Sequence, residues 1–494
     1  MLNQLSKETW DNQTAAHLLN RAGFGGPPEE VAALANMGLE AAVSSLLDYE
    51  RIPDPTPDPA WAKPDPDGMR QLADAAKSAT GDERRKLYQD HERLQVERLA
   101  ELRAWWLNRM AKGPRPFQEK MVLFWHGHFA TSAIKVRDAY YMWRQNELFR
   151  RLATGNWQEL LSFEGKDPAM LIWLDQDQSR QPHPNENFAR ELMELFALGI
   201  GNYTEKDVTE GARALTGWSL DRQNQEYIYR PFFHDKGIKT FLGQTGEFDG
   251  DDVIRIVAEQ PASARFITGK MWNFFAGQMP SAELNNALAE TFRAGGSNFK
   301  PFLRVMFSSE EFYAPDIMRN QVKSPTQWLI GSVRMLQCDP PPAFISMAIL
   351  RSLGQDLLAP PNVKGWDGGI AWITTNTLLE RYNAAATIIQ GTTQQLTAAD
   401  FANRPGGQGG NKLEKAAQRI HIGGIKVENI VTPDERSNKE MLIASLQQRL
   451  LQSKLSSEQD QALRDFLDSR SILSDADIAN AIRLVMSTPE FQVT

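Results

Sequence analysis

The densest set of reactive side chains lies in one run, His183-Pro-Asn-Glu-Asn-Phe-Ala-Arg-Glu-Leu-Met-Glu-Leu-Phe-Ala-Leu-Gly199. On a helical wheel Glu186, Asn187, Arg190, Glu191 and Glu194 share one side. Phe188, Leu192, Leu195 and Phe196 take the other, with Met193 at its edge. The chemistry open to the polar side is proton transfer. Glu186 or Glu191 would act as general acid or base, with its pKa moved by its neighbours, and Arg190 would hold an anionic group of a substrate. Asn185 and Asn187 are poor helix filler because their amides compete for backbone groups, so both join the candidate substrate contacts. Two plainer readings stand beside this one. The face could be solvated, with Glu186–Arg190 and Asn187–Glu191 neighbours each contributing about 0.2–0.5 kcal/mol. It could also be a buried strut in which Arg190 sits between Glu186 and Glu194.

Other reactive residues are scattered. His126 and His128 in Trp125-His-Gly-His-Phe129 stand about 200° apart on a helix and cannot grip one ion unless Gly127 breaks it. His128 and His234 are the candidate catalytic histidines. His234-Asp-Lys-Gly237 reads as a turn, and Asp235 is either turn chemistry or a substrate contact. Trp218, Lys364 and Trp366 complete the candidate substrate set. The rings could stack on sugars or fill the core, and the loop Pro361-Asn-Val-Lys-Gly-Trp366 could close over a groove. His91 and His421 receive no role, and no metal or cofactor is assigned. A Gly-x-Ser-x-Gly elbow, a phosphate loop and a His-Glu-x-x-His motif are all missing from the sequence.

The elements that must position these residues are mainly helices. Asp167-Pro168 and Thr204-Glu-Lys-Asp207 read as helix starts, and Pro184 suits a first helical turn. Asp251 and Ser281 are further expected caps. One β-hairpin is expected, with Tyr227–Phe233 and Ile238–Leu242 flanking the His234–Gly237 turn. Leu303–Phe312 echoes Ile482–Phe491, which suggests a reused helix-terminating unit.

The expected architecture is mainly α: a large helical domain over 1–400 with that one hairpin, then a mobile linker over 401–413. A C-terminal helical appendage over 414–494 packs on the core. Within the first domain, 51–68 is a loop rich in proline and aspartate, and 69–112 is a long helical hairpin. With 494 residues, 41% hydrophobic content and a net charge of -8, the chain reads as soluble and mildly acidic. That balance argues against nucleic acid as a partner. The single cysteine, Cys338, excludes an intrachain disulfide. No run is long and apolar enough to span a bilayer. No leader is visible, which implies the cytoplasm as written, or the periplasm or export if a leader was removed.

Several segments together resemble one bacterial family, domain of unknown function 1800. They are His17-Leu-Leu-Asn-Arg-Ala-Gly-Phe-Gly25, Phe124-Trp-His-Gly-His-Phe129, Pro184–Glu194, Tyr203–Val208, Ala212-Arg-Ala-Leu-Thr-Gly-Trp218, the His234 turn and Pro361–Trp366. The resemblance implies a large, mostly helical protein, often exported and encoded beside sulfatase-like or phosphatase-like proteins. It implies no activity. Two functions therefore stand as expectations. The first is an acid–base enzyme, a hydrolase or lyase on a carbohydrate or other polymer, with Asn185–Glu194, His128 and His234 around one cleft. The second is a non-catalytic helical scaffold or partner of a sulfatase/phosphatase-like protein, in which the same polar face pairs with itself.

Overall fold

The computed structural model describes residues 2–391 and 424–494. The linker expected over 401–413, the first residues of the 414–494 appendage and His421 lie outside the described residues. The described chain is mainly α-helical, with two small two-stranded antiparallel sheets. Its buried apolar side chains, from Leu5 to Phe491, form one continuous cluster. No single described helix is long and apolar enough to cross a membrane; one bent pair, Pro28–Met37 with Leu39–Leu47, meets the length and composition only when its two helices are taken together.

Local chemistry sets most helix starts. Asp167 accepts hydrogen bonds from the Ala169 and Met170 amides ahead of Pro168–Trp173, which satisfies donors that a helix leaves unpaired at its first turn. Thr204 and Asp207 form a reciprocal capping box at Glu205–Leu215. Ser281 caps Ala282–Ala294. Asp249, not Asp251, caps Gly250–Glu259, because its carboxylate reaches two amides at the turn entry.

The expected hairpin is not formed. Glu226–Tyr229 pairs with Trp218–Asp221, and Lys239–Phe241 pairs with Gln244–Gly246. The intervening Pro231–Phe233 is a 3₁₀ turn. Proline there lacks a ladder donor, and the turn after it is stapled elsewhere.

Residues 53–64 run over the surface as extended chain and turns, without helix or ladder. They are tied down by side chains of the neighbouring helix: Trp105 Nε1 donates to the Pro57 carbonyl at 2.8 Å and Trp61 Nε1 to Glu101 at 2.7 Å, and Asp54 pairs with Arg109. The last three residues of the proline-rich stretch are helical, because Asp65 caps Gly68 and Pro66 takes the first helical position. Pro66–Ser78 and Gly81–Lys112 follow, two helices in contact across the short break at Ala79-Thr80.

The sequence echo has a structural counterpart. Phe299–Phe307 is followed by a 3₁₀ turn at Glu310–Tyr313, and Asp475–Met486 by one at Pro489–Gln492. Each turn drives a phenylalanine, Phe312 or Phe491, fully into the core. The C-terminal helices are bound in by cations on carbonyls: Lys323 donates to Phe491 O at 2.6 Å, Arg449 to Met335 O at 3.1 Å, and Arg319 to Glu490 O.

Candidate functional site

The reactive run forms a helix over Glu186–Glu191 that passes into a π-helical turn, Leu192–Ala197, and ends at Gly199 with φ +80. Asn185, not Pro184, starts it, by accepting a hydrogen bond from the Asn187 amide. Phe188, Leu192, Met193 and Phe196 are buried, while Leu195 is half-buried. Phe188 packs on Trp218 with ring centroids 6.2 Å apart. Trp218 itself is 2% exposed and lies so close to Gly250 that a Cβ there would stand 2.3 Å from its ring. It is a core plug and is not open to a sugar.

Most of the polar face is occupied in holding the fold. Asn185 Nδ2 donates to the Asp175 carbonyl at 3.0 Å and Asn187 Nδ2 to the Leu174 carbonyl at 3.3 Å. The two amides tie the helix entry to the end of the preceding helix. Arg190 forms a two-pronged pair with Glu205, at 2.8 and 2.7 Å, and reaches Glu186 at 3.6 Å. Its expected partner Glu194 instead accepts from the Tyr203 hydroxyl at 2.8 Å. Glu186 also accepts from Thr209 at 2.9 Å. The Arg190–Glu205 contact holds the Glu205 carboxyl below its ordinary value.

Glu191 is the exception. It is half-buried and has no hydrogen bond or ion pair among the described residues. Burial, then the neighbouring Glu194, pushes its pKa up, against the opposing charges of Arg190 and Lys364. Lys364 belongs to the Pro361–Trp366 loop, which docks on the end of the Pro116–His128 helix. Gly365 has φ +86, and a Cβ on it would stand 2.4 Å from the Gly127 carbonyl. Only glycine fits that approach. Lys364 is exposed and Trp366 half-buried.

The carbonyls of this last turn have no partner within the helix, and two neighbouring helices take two of them. His128 Nε2 lies 2.9 Å from Phe196 O, and Lys270 Nζ donates to Leu195 O at 3.2 Å. Nε2 must carry the proton there, because a carbonyl only accepts. His128 is 3% exposed, ringed by Phe124, Trp125, Phe129 and Trp157. Burial, then Lys270, holds it neutral, and burial pushes Lys270 down to about 8. His128 is therefore a core histidine and does not line a cleft. His126 points the other way, against Trp106 and Phe149, and accepts from Asn146 at 3.0 Å.

His234 and Asp235 stand apart from Glu191. His234 Nδ1 lies 2.9 Å from Thr216 O. Asp235 is clamped by Arg213 at 2.8 and 3.2 Å and accepts from the Gly237 amide at 2.8 Å. Arg213 also binds Glu210, and Lys239 donates to the turn carbonyls. The turn is stapled by a charge network that accounts for its residues without a ligand. Of the eleven candidates, only Arg190 and Lys364 lend their charge to Glu191, and His128, His234, Trp218 and Asp235 are engaged in other contacts.

Sequence reasoning missed two buried polar clusters. Glu119 accepts from Arg109, Arg150 and Trp106 at 2.7–3.0 Å. Next to it Lys120 donates to Gln327 and lies 5.0 Å over the Phe24 ring, its pKa pushed down to about 7 by burial. The signal was available: an adjacent acid and base inside the most apolar-aromatic helix of the chain. The second cluster pairs Glu164 with Asp167, both buried. Gln145 donates to Glu164 at 2.8 Å and to Thr131 at 3.1 Å, leaving Glu164 Oε2 and Gln145 Oε1 without partners. Burial raises both carboxyls, Asp167 to about 7, and Asp167 adds to the rise at Glu164.

Among the described residues no three His, Cys, Asp or Glu side chains are placed to hold one metal ion. Two surface grooves, of about 680 and 370 Å³, lie elsewhere, and none of the eleven candidate residues lines either. No curated protein and no solved structure matches the chain. A family model does match, over residues 17–493 and so over nearly the whole chain, and the chain belongs to that family, described as a protein of unknown function, DUF1800.

Proposed function

We propose that this chain is a non-catalytic helical partner protein and that its Asn185–Glu194 face is a structural joint. One observation carries the reading: Asn185, Glu186, Asn187, Arg190 and Glu194 each have a partner within the fold. A general acid or base must instead be free to reach the proton it moves. The surface a partner would use includes the stapled turn, where Phe232 is 90% exposed and Ile238 66% exposed on a rigid support. A sulfatase/phosphatase-like protein is the partner class, as the family resemblance implies. The test is titration of the purified chain with the sulfatase-like protein encoded beside it, read by light scattering after size exclusion. A complex that Phe232→Ser and Ile238→Ser weaken supports the reading, and two separate peaks at tens of micromolar defeat it.

A catalytic reading keeps one supporting observation, Glu191, unpaired among the described residues and with its pKa raised by burial and by Glu194. Turnover on any polysaccharide or polymer panel that disappears in Glu191→Gln, with the fold intact, would favour it over the partner reading.

A further inference from the structure

The stapled turn carries charge as well as apolar surface. Three stretches of backbone meet there. Gly217 N donates to Ser179 O at 3.4 Å, Arg230 N to Gly217 O at 2.8 Å, and Gln181 N to Phe233 O at 2.9 Å. Gly217 has φ +90, and a Cβ on it would stand 2.9 Å from the Arg230 carbonyl, so this approach needs glycine. The exposed turn Arg180–His183 and the segment Arg230–Ile238 thereby share one surface. Phe232 projects from it, with its ring 5.7 Å from that of Phe233. Behind it Asp235 N donates to Thr216 Oγ1 at 2.8 Å, so the ring stands on a braced support.

Arg180, Arg230 and Lys236 are exposed on this surface and form no ion pair among the described residues. The side chain of Arg230 has Ser219 Oγ alone as a partner, at 3.3 Å. The carboxylates of the region are committed elsewhere. Asp235 and Glu210 are held by Arg213, and Asp177 by Arg222 at 2.8 Å. Asp221 and Glu226 face one another at the end of the hairpin away from the Trp218–Tyr229 pair that precedes Arg230. Asp221 accepts there from the Gln223 and Asn224 amides at 3.0 and 3.1 Å. Three uncompensated cations thus flank a projecting phenylalanine, on a chain whose net charge is -8.

That contrast selects the partner's chemistry. An acidic chain repels an acidic protein over most of its surface. A local excess of cations reverses the sign at one place, which steers the encounter and fixes the face that docks. Aromatic and arginine side chains are also the ones enriched where proteins meet, and a single projecting ring is an anchor for a pocket. A lipid surface would call for a broad apolar face such as that of an amphipathic helix, whereas Phe232 sits on a 3₁₀ turn of three residues. We infer, resting on the partner reading, that the protein docked here offers an acidic surface, whose carboxylates meet Arg180, Arg230 and Lys236 around an apolar pocket that takes Phe232.

The full chain and the sulfatase-like protein encoded beside it form the pair to measure, by association rate and by affinity. Reversing all three charges, with Arg180→Glu, Arg230→Glu and Lys236→Glu together, should weaken the complex at least about tenfold, chiefly through slower association. Raising salt from about 0.1 M to about 1 M shortens the screening length from about 10 Å to about 3 Å and should slow the parent in the same way. A complex that Phe232→Ser weakens, but whose association neither charge reversal nor salt alters, overturns the acidic assignment and leaves the partner reading standing. If no complex forms at tens of micromolar, both fall. Capture of the chain through Phe232 on vesicles of phosphatidylserine in phosphatidylcholine, without binding to the protein, also overturns the inference. Should the triple variant melt below the parent, the three single reversals decide, each expected to slow association while the melting temperature holds.

Discussion

Replacing Glu191 by Gln keeps the side chain's size and hydrogen-bonding capacity and removes its charge. A strut would lose a great deal. Stranding a buried guanidinium costs about 3–5 kcal/mol. Arg190 is not stranded, however, because its two prongs are on Glu205 and Glu186 is close by. Glu191 itself has no donor to lose. What disappears is a like-charge contact with Glu194 three residues on, about 0.2–0.5 kcal/mol, together with the cost of keeping a charge half out of water. The variant should therefore be more stable by about 0.5 kcal/mol, with a rise of only about 0.5 °C in melting temperature for a chain of this size. The gain must also depend on pH. Burial and Glu194 raise the folded pKa above 4.5, so the folded state holds this proton more tightly than the unfolded chain. Below 4.5 both states are protonated and the charge costs nothing. The cost grows as pH rises from 4.5 through the raised folded value, so the advantage of Gln appears only above that window. Urea titrations at pH 4 and pH 7.5 measure both quantities. A loss of about 3 kcal/mol would refute the reasoning, and so would a gain of equal size at both pH values.

Glu164→Gln should stabilise more strongly and with the same sign, because the raised buried carboxyl costs stability as pH climbs above 4.5, at about 1.4 kcal/mol per pH unit across the window. An advantage that does not change between pH 5 and pH 9 would contradict it. Phe188→Ala, at a side chain 1% exposed against Trp218, should cost about 3–5 kcal/mol in denaturant titrations; a change near zero would place that ring outside the core. Gly365→Ala must adopt φ +86 and meet the Gly127 carbonyl, so it should cost at least about 1–2 kcal/mol. Hydrogen exchange should show lost protection at Ala133, whose amide is bonded to Leu358 O, and an unchanged rate there would count against the docking argument.

How much could be read in advance follows from the range of each interaction. The caps at Asp167, Thr204 and Ser281 are legible because donor and acceptor lie two or three residues apart. The wheel placed Phe188, Leu192 and Phe196 inward because burial follows the helical period even where the helix loosens into a π turn. Strand pairing is not local in that sense. Tyr227–Tyr229 looked ready to pair forward across the His234 turn, yet it turns back onto Trp218–Asp221, since Arg213 from another helix holds Asp235. The polar face fails in the same manner. Its partners, the carbonyls at 174 and 175, Glu205 and Thr209, come from elements whose approach no periodicity encodes. His128 was read as a reactive group because a ring nitrogen looks the same in sequence whether it faces a cleft or a π-turn carbonyl.

The carbonyl clasp around Arg21 has a kinetic consequence. This fully buried side chain, in the first helix, donates to Phe275 O and Ile317 O, which lie 254 and 296 residues further along the chain. During synthesis that helix must wait for more than half of the polypeptide before its guanidinium can be solvated by the fold instead of by water. Loop closure over such spans comes before any reward, and topologies rich in distant contacts fold slowly. Until the clasp closes, the first helix has only its immediate neighbours, Pro28–Met37 and Leu39–Leu47, to pack on.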